Sequence, residues 1–310
     1  MTDEWIEVVA PATISNIGPG FDVFGMALQE PFDRIRVRKT DAGVIISSIE
    51  GEGAESIPTD PAQNSASIAA AEVLERCEAP FGLEMQIVKG IRPCSGIGSS
   101  GASAAGGAYA ANLLCGEPLG STELIMCAAH AEAVISGGMH ADNVAPCILG
   151  GFTAIRSYTP FETINIQPPE NLGVVVCLPD VMVSTLESRK VLPLEVGVPD
   201  LVFHVGNASC LVHAMHTGDL DLLGRSVRDA VFEPARAHLV PHLGEAEDIA
   251  MSLGAKASFL GGAGPCIISL VDLEMTDGQS IADSIQDMYH ENGIGCKWWL
   301  TSWGPGCRRV

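Results

Sequence analysis

Apolar residues in the N-terminal half recur in short runs, and the spacing within each run predicts the element that it forms. Strands are expected at residues 5–9, 35–39, 44–49 and 83–88. Asp41, Ala42 and Gly43 separate the second strand from the third, so these two are predicted to form a hairpin. The Pro- and Gly-rich stretch 10–25 is predicted to be a structured loop.

Helical spacing appears between and after these strands. Residues 66–77 carry apolar side chains three and four positions apart, which is typical of an amphipathic helix. From Gly101 onward, small residues dominate and predict a tightly packed helix. Ser121 is the predicted N-cap of a third helix, which reaches Ile135 and ends at two glycines.

The C-terminal half begins after a break at residues 157–171, where prolines and polar residues collect. Strands are predicted at 172–178, 266–271 and 295–300, and helices at 204–217, 219–232, 243–253 and 279–291. Strands and helices are mixed without regular βαβ units, which indicates the α+β class. We expect two domains, residues 1–160 and 161–310.

Composition limits the cellular compartment and the classes of partner that are expected for the protein. The chain has 310 residues, 47% of them hydrophobic, which is enough for a substantial core. Its net charge of −21 arises from 38 acidic against 17 basic residues, and such a surface repels nucleic acid and anionic membranes. No signal peptide or membrane-crossing run is found, and the ten cysteines form no C-x-x-C pair. A cytoplasmic protein without nucleic-acid or membrane partners is expected.

Residues 96–101, Gly-Ile-Gly-Ser-Ser-Gly, match the G-x-G-x-x-G pattern of dinucleotide-binding loops. That interpretation fails on context. Five residues separate the predicted strand from Ser95, and the acidic residue at about the right distance, Glu117, lies in a turn between two helices rather than at a strand end.

A phosphate of ATP suits the loop better. The loop opens directly into a helix, where backbone N–H groups and the positive end of the helix dipole converge. Ser99 and Ser100 add hydroxyls, one of which can ligate Mg²⁺, and Lys89 and Arg92 add positive charge. On the loop alone, a glycine turn selected for close packing remains an equal alternative.

Three motifs in order resemble the signatures of the GHMP kinases. The stretch PCSGIGSSGAS, at 93–103, resembles their second signature, with two residues instead of three between the proline and the first glycine. The stretches PATISNIGPGFDVFG, at 11–25, and FLGGAGPCIISL, at 259–270, resemble the first and third. The chain departs from the family pattern at Ile14, and Gly261, Ala263 and Cys266 lack hydroxyls that are common in the third motif.

Four further stretches narrow the resemblance to the homoserine kinase family. They are AEAVISGGMHADNVAP at 131–146, STLESRKVLP at 184–193, FEPAR at 232–236 and NSASIAAAEVL at 64–74. The resemblance implies an α+β, two-domain GHMP kinase fold. Its N-terminal domain would be similar to domain 2 of ribosomal protein S5, and its C-terminal domain would be ferredoxin-like.

The resemblance also implies an activity, namely phosphorylation of L-homoserine by ATP with Mg²⁺ to give O-phospho-L-homoserine, in a homodimer. Contacts to ATP or its phosphates are implied for Asn64, Pro93, Cys94, Ser95, Gly96, Ile97, Gly98, Ser99, Ser100, Gly101, Ala102, Ser103 and Thr185. Acceptor contacts are implied for Asn16, Asp22, His140, Asp142, Arg189 and Arg236, and Mg²⁺ ligation for Ser100 and Glu132. Catalytic roles are implied for Asp142, Asn143 and Lys89.

The chemistry of homoserine agrees with these assignments. Its carboxylate suits a pair of arginines, because guanidinium binds carboxylate through two parallel hydrogen bonds. Its ammonium suits Asp22 with Asn16. Alignment of the hydroxyl is expected to suffice for transfer, so Asp142 is expected to hydrogen-bond it without acting as a strong base. The alternatives left open are a GHMP kinase for another small hydroxyl acceptor and a catalytically weak nucleotide-binding relative.

Overall fold

The computed structural model describes residues 4–310, so the first three residues of the expected N-terminal domain lie outside the described part. The strands are β1 Ile6–Ser15, β2 Phe24–Thr40, β3 Val44–Gly51, β4 Gly82–Lys89, β5 Phe152–Tyr158, β6 Phe161–Ile166, β7 Leu172–Pro179, β8 Ala257–Leu260, β9 Ile267–Asp272, β10 Cys296–Ser302 and β11 Arg308–Arg309. The α helices are α1 Ser65–Arg76, α2 Ser99–Cys115, α3 Ser121–Ser136, α4 Val144–Leu149, α5 Thr185–Lys190, α6 Val198–Thr217, α7 Leu220–Ser226, α8 Phe232–Arg236, α9 Leu243–Ser252 and α10 Gly278–Glu291.

The larger sheet has seven strands. Its main path is β11-β1-β2-β4-β3, and β5 joins it by pairing with both β2 and β6. Alternate residues of β2, such as Ile35 and Val37, are fully buried and face the alanine-rich helix α2. Gly106 of α2 lies so close to the sheet that an added Cβ would stand 2.6 Å from Ile35. The small residues of α2 therefore allow the close approach that the sequence predicted.

The predicted hairpin of residues 35–39 and 44–49 is wrong. The chain does turn at residues 41–43, but β4 lies between β2 and β3, antiparallel to the first and parallel to the second. Gly82 begins β4 under this turn, and an added Cβ there would stand 2.3 Å from the Ala42 carbonyl carbon. The apolar pattern fixes which side chains of a strand are buried, but it carries no information about the neighbouring strand.

Three other boundaries differ from the prediction. β1 continues through the predicted loop to Ser15, so only residues 16–23 are irregular before β2. Ser121 is the first residue of α3 rather than its N-cap; Gly120 caps the helix, and its N–H donates to Glu123 Oε2 at 2.9 Å. The helix expected at 219–232 ends at Ser226, and a separate short helix, α8, follows.

The smaller sheet has the strand order β10-β7-β9-β8. One of its faces packs against α9 and α10 and forms a second hydrophobic core with them. Its opposite face shares one hydrophobic cluster with the larger sheet, through residues such as Val176 and Leu270. The α+β class is thus confirmed. Both β6 and β11 belong to the larger sheet, so the strand pairing does not divide the chain at residue 160, and that boundary stays a prediction.

Candidate active site

The predicted phosphate loop, residues 93–98, lies at the end of the connection from β4 to α2. Gly96 and Gly98 have φ values of 83° and 71°, which favour glycine because a Cβ is strained there. Gly98 is the N-cap of α2 and offers no side-chain acceptor to the first N–H groups of the helix. These N–H groups and the helix dipole make the start of α2 suitable for an anion.

Close contacts on two sides fix this loop. A Cβ on Gly98 would stand 2.1 Å from Thr13 Oγ1 of β1, and a Cβ on Gly96 would stand 2.6 Å from the Gly261 carbonyl oxygen. The Cys266 N–H donates to the Ser95 carbonyl at 3.3 Å. The third motif therefore closes over the phosphate loop through its backbone, and the missing hydroxyls of that motif do not prevent the closure.

Most side chains of the predicted phosphate-binding residues point away from the loop surface. Ser95, Ile97, Ser99 and Ser103 are buried, and the Ser99 hydroxyl donates to the Ile91 carbonyl at 2.9 Å. Phosphate contacts from these four residues would therefore come from the main chain. Among the two serines considered as Mg²⁺ ligands, only Ser100 is exposed.

Ser100 and Glu132 meet at the start of α2. The Ser100 hydroxyl donates to Glu132 Oε2 at 2.7 Å, across the gap between α2 and α3. Burial raises the pKa of the Glu132 carboxyl, although Ser100 and Lys89 oppose the rise. Hydroxyl and carboxylate oxygens are ligands that Mg²⁺ prefers, and Mg²⁺ commonly completes its shell with phosphate oxygens and water. The pair fits an ion bound together with ATP, and within residues 4–310 no group of three His, Cys, Asp or Glu residues offers a ready-made metal site.

Lys89 lies buried beneath the phosphate loop, and its predicted catalytic role stays a prediction. Its side chain is 1% exposed and forms a buried ion pair with Asp33. Its ammonium also donates to Ser103 Oγ at 2.8 Å and to the Ser99 carbonyl at 3.2 Å. Asp33 in turn accepts the N–H groups of Gly90 and Ile91, both at 3.0 Å. Lys89 therefore ties the first turn of α2 to the sheet from below.

The two predicted carboxylate-binding arginines converge on the ring of Phe21. Arg189 of α5 lies 5.7 Å from the ring centroid and Arg236 of α8 lies 5.2 Å from it. Phe232 stacks on the same ring with a centroid distance of 3.8 Å. Arg236 is 3% exposed and donates to the Gly262 carbonyl at 2.9 Å, and burial lowers its pKa.

Asp22 faces these arginines from the first motif. Its carboxylate accepts from Arg189 at 2.8 and 3.3 Å, and its backbone N–H donates to Asn16 Oδ1 at 3.2 Å. His140 Nδ1 lies 3.5 Å from Asp22 Oδ2, and burial lowers the pKa of this imidazole. Asn16 also donates to the Gly262 carbonyl at 3.0 Å. The predicted acceptor residues are thus brought together in one place.

Asp142 and Asn143 lie between the acceptor residues and the phosphate loop, just before α4. Burial, followed by the negative charge of Asp22, raises the pKa of Asp142 to about 7. Asn143 Oδ1 accepts from the Thr13 hydroxyl at 2.7 Å, which leaves the amide NH₂ of Asn143 to meet another acceptor. Asp142 is therefore the group of this pair that can accept a proton near neutral pH.

Two residues with predicted nucleotide contacts, Asn64 and Thr185, lie outside the phosphate loop. Asn64 is the N-cap of α1, where its amide oxygen accepts two backbone N–H groups and its amide nitrogen donates to the Pro58 carbonyl at 3.0 Å. Thr185 is the exposed first residue of α5, on the helix that carries Arg189. Their contacts to ATP stay predictions.

Sequence reasoning missed the residues that support these groups. Asp33 could have been found, because it lies on the same face of β2 as the buried residues Ile35 and Val37. A carboxyl group at a buried position requires a buried partner. Phe21 lies inside a quoted motif, and Phe232 begins another, but their stacking requires the tertiary fold. Asp229, whose carboxylate accepts backbone N–H groups at the start of α8, had no signal beyond its proximity to FEPAR.

Comparison with known proteins agrees with this geometry. Residues 64–151 match the GHMP kinases N terminal domain, and residues 211–294 match the GHMP kinases C terminal domain. The homoserine kinase of Methanococcus maripaludis is 40% identical over 304 residues, covering 97% of each chain. That of Halorubrum lacusprofundi is 42% identical over 303 residues, covering 97% of this chain and 98% of the relative.

A solved structure extends this likeness to the whole fold. The crystal structure of homoserine kinase from Cytophaga hutchinsonii superposes with a TM-score of 0.94 at 34% identity, covering 100% of this chain and 98% of that one. Lactococcus lactis galactokinase, at 14% identity and a TM-score of 0.73, shares the fold alone. With its phosphate loop, arginine pair and identity to these relatives, the chain belongs to the homoserine kinase family of the GHMP kinases.

Proposed function

We propose that this protein transfers the γ-phosphoryl group of ATP to the hydroxyl of L-homoserine, giving O-phospho-L-homoserine for threonine biosynthesis. The observation that carries the proposal is the convergence of Arg189 and Arg236 on Phe21, opposite Asp22 and beside Asp142. Two cations, an anion and a proton acceptor match the three functional groups of an amino acid with a side-chain hydroxyl.

The acceptor would exchange partners with an existing ion pair. Arg189 and Asp22 bind each other, so the carboxylate of homoserine takes the place of Asp22 on Arg189. Asp22 is then released to bind the ammonium group, together with Asn16. The site keeps its net charge in this exchange, because the incoming zwitterion brings one charge of each sign.

ATP would lie with its phosphates at the start of α2. The backbone N–H groups of the phosphate loop bind and orient them, and the loop geometry leaves no room for side chains at Gly96 and Gly98. Ser100 and Glu132 would hold Mg²⁺, which neutralises negative charge on the phosphates. Lys89 keeps the first turn of α2 in place from beneath.

The acceptor hydroxyl would lie between Asp142 and Asn143. Asn143 donates a hydrogen bond through its amide NH₂, since its oxygen is engaged by Thr13. Asp142 accepts a hydrogen bond from the hydroxyl and can take its proton as the bond to phosphorus forms. Alignment supplies most of the rate enhancement in phosphoryl transfer, so the proton acceptor contributes a smaller part.

A direct test measures ADP release by a coupled assay with L-homoserine, L-serine, shikimate and mevalonate, each at the same ATP and Mg²⁺ concentrations. Homoserine-dependent release with little turnover of the others supports the proposal. Faster turnover of another acceptor would favour a GHMP kinase for that acceptor, and ATP binding without turnover of any would favour a catalytically weak relative.

We further propose that the protein is a cytoplasmic homodimer that associates through the first half of α6. This face exposes Val198, Leu201, Val202 and Val205, with exposed fractions between 55% and 71%. Apart from Asp200, residues 198–205 carry no Asp, Glu, Lys or Arg, in a chain whose net charge is −21, so two copies can meet there with little like-charge repulsion. Light scattering should give the mass of a dimer, and Val202→Asp should give that of a monomer.

A membrane or nucleic-acid partner is not part of the proposal. Among the helices of residues 4–310, none combines the length and apolar character that a bilayer crossing requires. The acidic surface disfavours binding to nucleic acid, as the sequence suggested. All ten cysteines are free thiols, which suits the reducing cytoplasm that we propose.

A further inference from the structure

We propose that Asp229, supported by His204, is a positioning residue that sets the arginine pair for the carboxylate of the acceptor. The inference rests on the proposed function, because it concerns the same acceptor site. Asp229 does not belong to the set of predicted site residues, but it lines a small cavity together with Asn16 and Arg236. It acts through the short helix α8.

Asp229 fixes the start of α8 through three hydrogen bonds. Its Oδ1 accepts the N–H groups of Val231 and Phe232 at 2.7 and 2.8 Å, and its Oδ2 accepts that of Glu233 at 2.9 Å. α8 has five residues, and a helix of that length does not form on its own because nucleation is unfavourable. Its direction therefore depends on these bonds and on its packing.

α8 carries two of the groups that shape the acceptor site. Its first residue, Phe232, stacks on Phe21, and its last residue, Arg236, lies over the same ring. Arg236 also donates to the Ser188 and Gly262 carbonyls at 3.3 and 2.9 Å. A rotation of α8 would move the stacked ring and the guanidinium together, away from Arg189.

His204 of α6 supports Asp229 from behind. The Ala230 N–H donates to His204 Nε2 at 3.1 Å, and the same nitrogen lies 3.2 Å from Asp229 Oδ1. The His204 ring meets Phe232 edge-on at 5.6 Å. The two side chains are only 11% and 6% exposed. A carboxylate this deeply buried with several hydrogen bonds has one preferred orientation, so α6 provides a fixed reference for α8.

A second anchor keeps α8 attached when the first is lost. Glu233 Oε2 accepts the Leu260 N–H of β8 at 2.6 Å. Substitution of Asp229 should therefore loosen and shift α8 without detaching it. The expected consequence is poorer binding of the acceptor carboxylate, rather than loss of the fold or of ATP binding.

The experiment compares two acceptors. L-homoserine carries the carboxylate, and 3-aminopropan-1-ol has the same amine and hydroxyl without it. In the wild type, kcat/KM should be on the order of 100-fold higher for homoserine, because charge-assisted hydrogen bonds to the carboxylate are lost with the amino alcohol. In Asp229→Ala this ratio should fall about tenfold or more, through a raised KM for homoserine with an unchanged KM for ATP.

Two further variants make the result specific. Asp229→Asn keeps an acceptor oxygen for Val231 and Phe232 and should lie between the wild type and Asp229→Ala. Asp219→Ala is the matched control: Asp219 caps α7 by accepting the Leu222 N–H at 2.8 Å, and α7 carries no site residue. This control should keep the wild-type ratio. His204→Ala should change the ratio in the same direction as Asp229→Asn.

The outcomes separate the two proposals. Equal losses for both acceptors, or no change in the ratio, would overturn the role of Asp229 while leaving the kinase activity established. Absence of homoserine-dependent ADP release in the wild type would overturn the proposed function itself. If Asp229→Ala does not fold, as judged by its thermal transition, Asp229→Asn and His204→Ala decide the question by the same ratio.

Discussion

The carboxylate of Asp22 and the guanidinium of Arg189 are bound to each other through two hydrogen bonds, of 2.8 and 3.3 Å, across the acceptor pocket. Their side chains are 27% and 31% exposed. Each is already oriented toward the charge that it would bind in the acceptor. The ion pair thus keeps both side chains ordered before the substrate arrives, which lowers the conformational cost of binding.

Arg189→Lys should raise KM for homoserine by about 10- to 100-fold, because an ammonium cannot replace the two parallel hydrogen bonds of guanidinium to a carboxylate. KM for ATP should remain unchanged. Steady-state kinetics with each substrate varied in turn checks the separation. Arg156→Lys is the matched control, since Arg156 of β5 forms an exposed ion pair with Glu162 of β6 and is not a predicted site residue. A parallel rise in both KM values would contradict the assignment of Arg189 to the acceptor.

Glu132→Gln should raise the Mg²⁺ concentration for half-maximal activity by about tenfold or more. The substitution replaces the carboxylate that is proposed to bind Mg²⁺ together with Ser100 by a neutral amide. KM for homoserine should change little. Titration of ADP release with Mg²⁺ at fixed ATP gives the shift. Glu123→Gln, on the same helix but at its exposed start, should keep the wild-type Mg²⁺ curve. An unchanged curve for Glu132→Gln would contradict the assignment.

The sequence predicted the identity of most strands and helices but not the order of strands in the larger sheet. Local spacing tells which face of β2 is buried, because Ile35 and Val37 alternate with arginines. It says nothing of β4, which follows β3 and the helix α1 in the chain and yet lies between β2 and β3 in the sheet. Strand neighbours depend on packing between distant segments, so the turn signal at residues 41–43 misled the prediction.

The site shows a similar division. Residues that the motifs assigned to the site contact each other, Ser100 with Glu132 and Asp22 with Arg189, while their roles stay predictions. A lysine next to a phosphate loop suggested a catalytic role for Lys89, but the sequence did not predict that its side chain is buried. Its burial depends on Asp33, which lies 56 positions away in the chain. Supporting groups such as Asp33 and Asp229 become visible only when the fold brings their partners together.

The burial of Lys89 leads to a stability prediction. Lys89→Met should lower the free energy of unfolding by about 3–5 kcal/mol, because it leaves the Asp33 carboxyl buried without its partner. The double variant Lys89→Met with Asp33→Leu should recover much of that loss, since a packed apolar pair often matches a buried ion pair. Urea unfolding followed by circular dichroism measures both.

Activity then distinguishes a structural from a phosphate-binding lysine. If Lys89 supports α2 from below, the double variant should regain a KM for ATP within a few fold of the wild type as its stability returns. A double variant that is stable yet has lost ATP turnover would instead mean that Lys89 contacts a phosphate during the reaction.

The raised pKa of Asp142 predicts a pH-dependent cost to the fold. Its pKa rises from the usual 3.8 to about 7, so the native state keeps a proton that the unfolded chain has already released. The free energy of unfolding therefore falls as pH rises from about 4 to 7. Asp142→Asn removes the effect. It should be more stable than the wild type by up to about 4 kcal/mol at pH 8 and by about half as much at pH 5. Equal differences at both pH values in urea unfolding would contradict this origin.

The same substitution tests how Asp142 takes part in transfer. In the wild type, kcat/KM for homoserine should rise as pH increases through about 7, because the ionised carboxylate accepts the hydrogen bond of the hydroxyl. Asp142→Asn should lose this limb and slow kcat by about 10- to 1,000-fold, since alignment by Asn143 and the phosphate loop remains. Thr13→Val, which releases the amide oxygen of Asn143, should retain the pH limb while lowering kcat. A loss of about 10,000-fold or more in Asp142→Asn would show that Asp142 is an obligatory base.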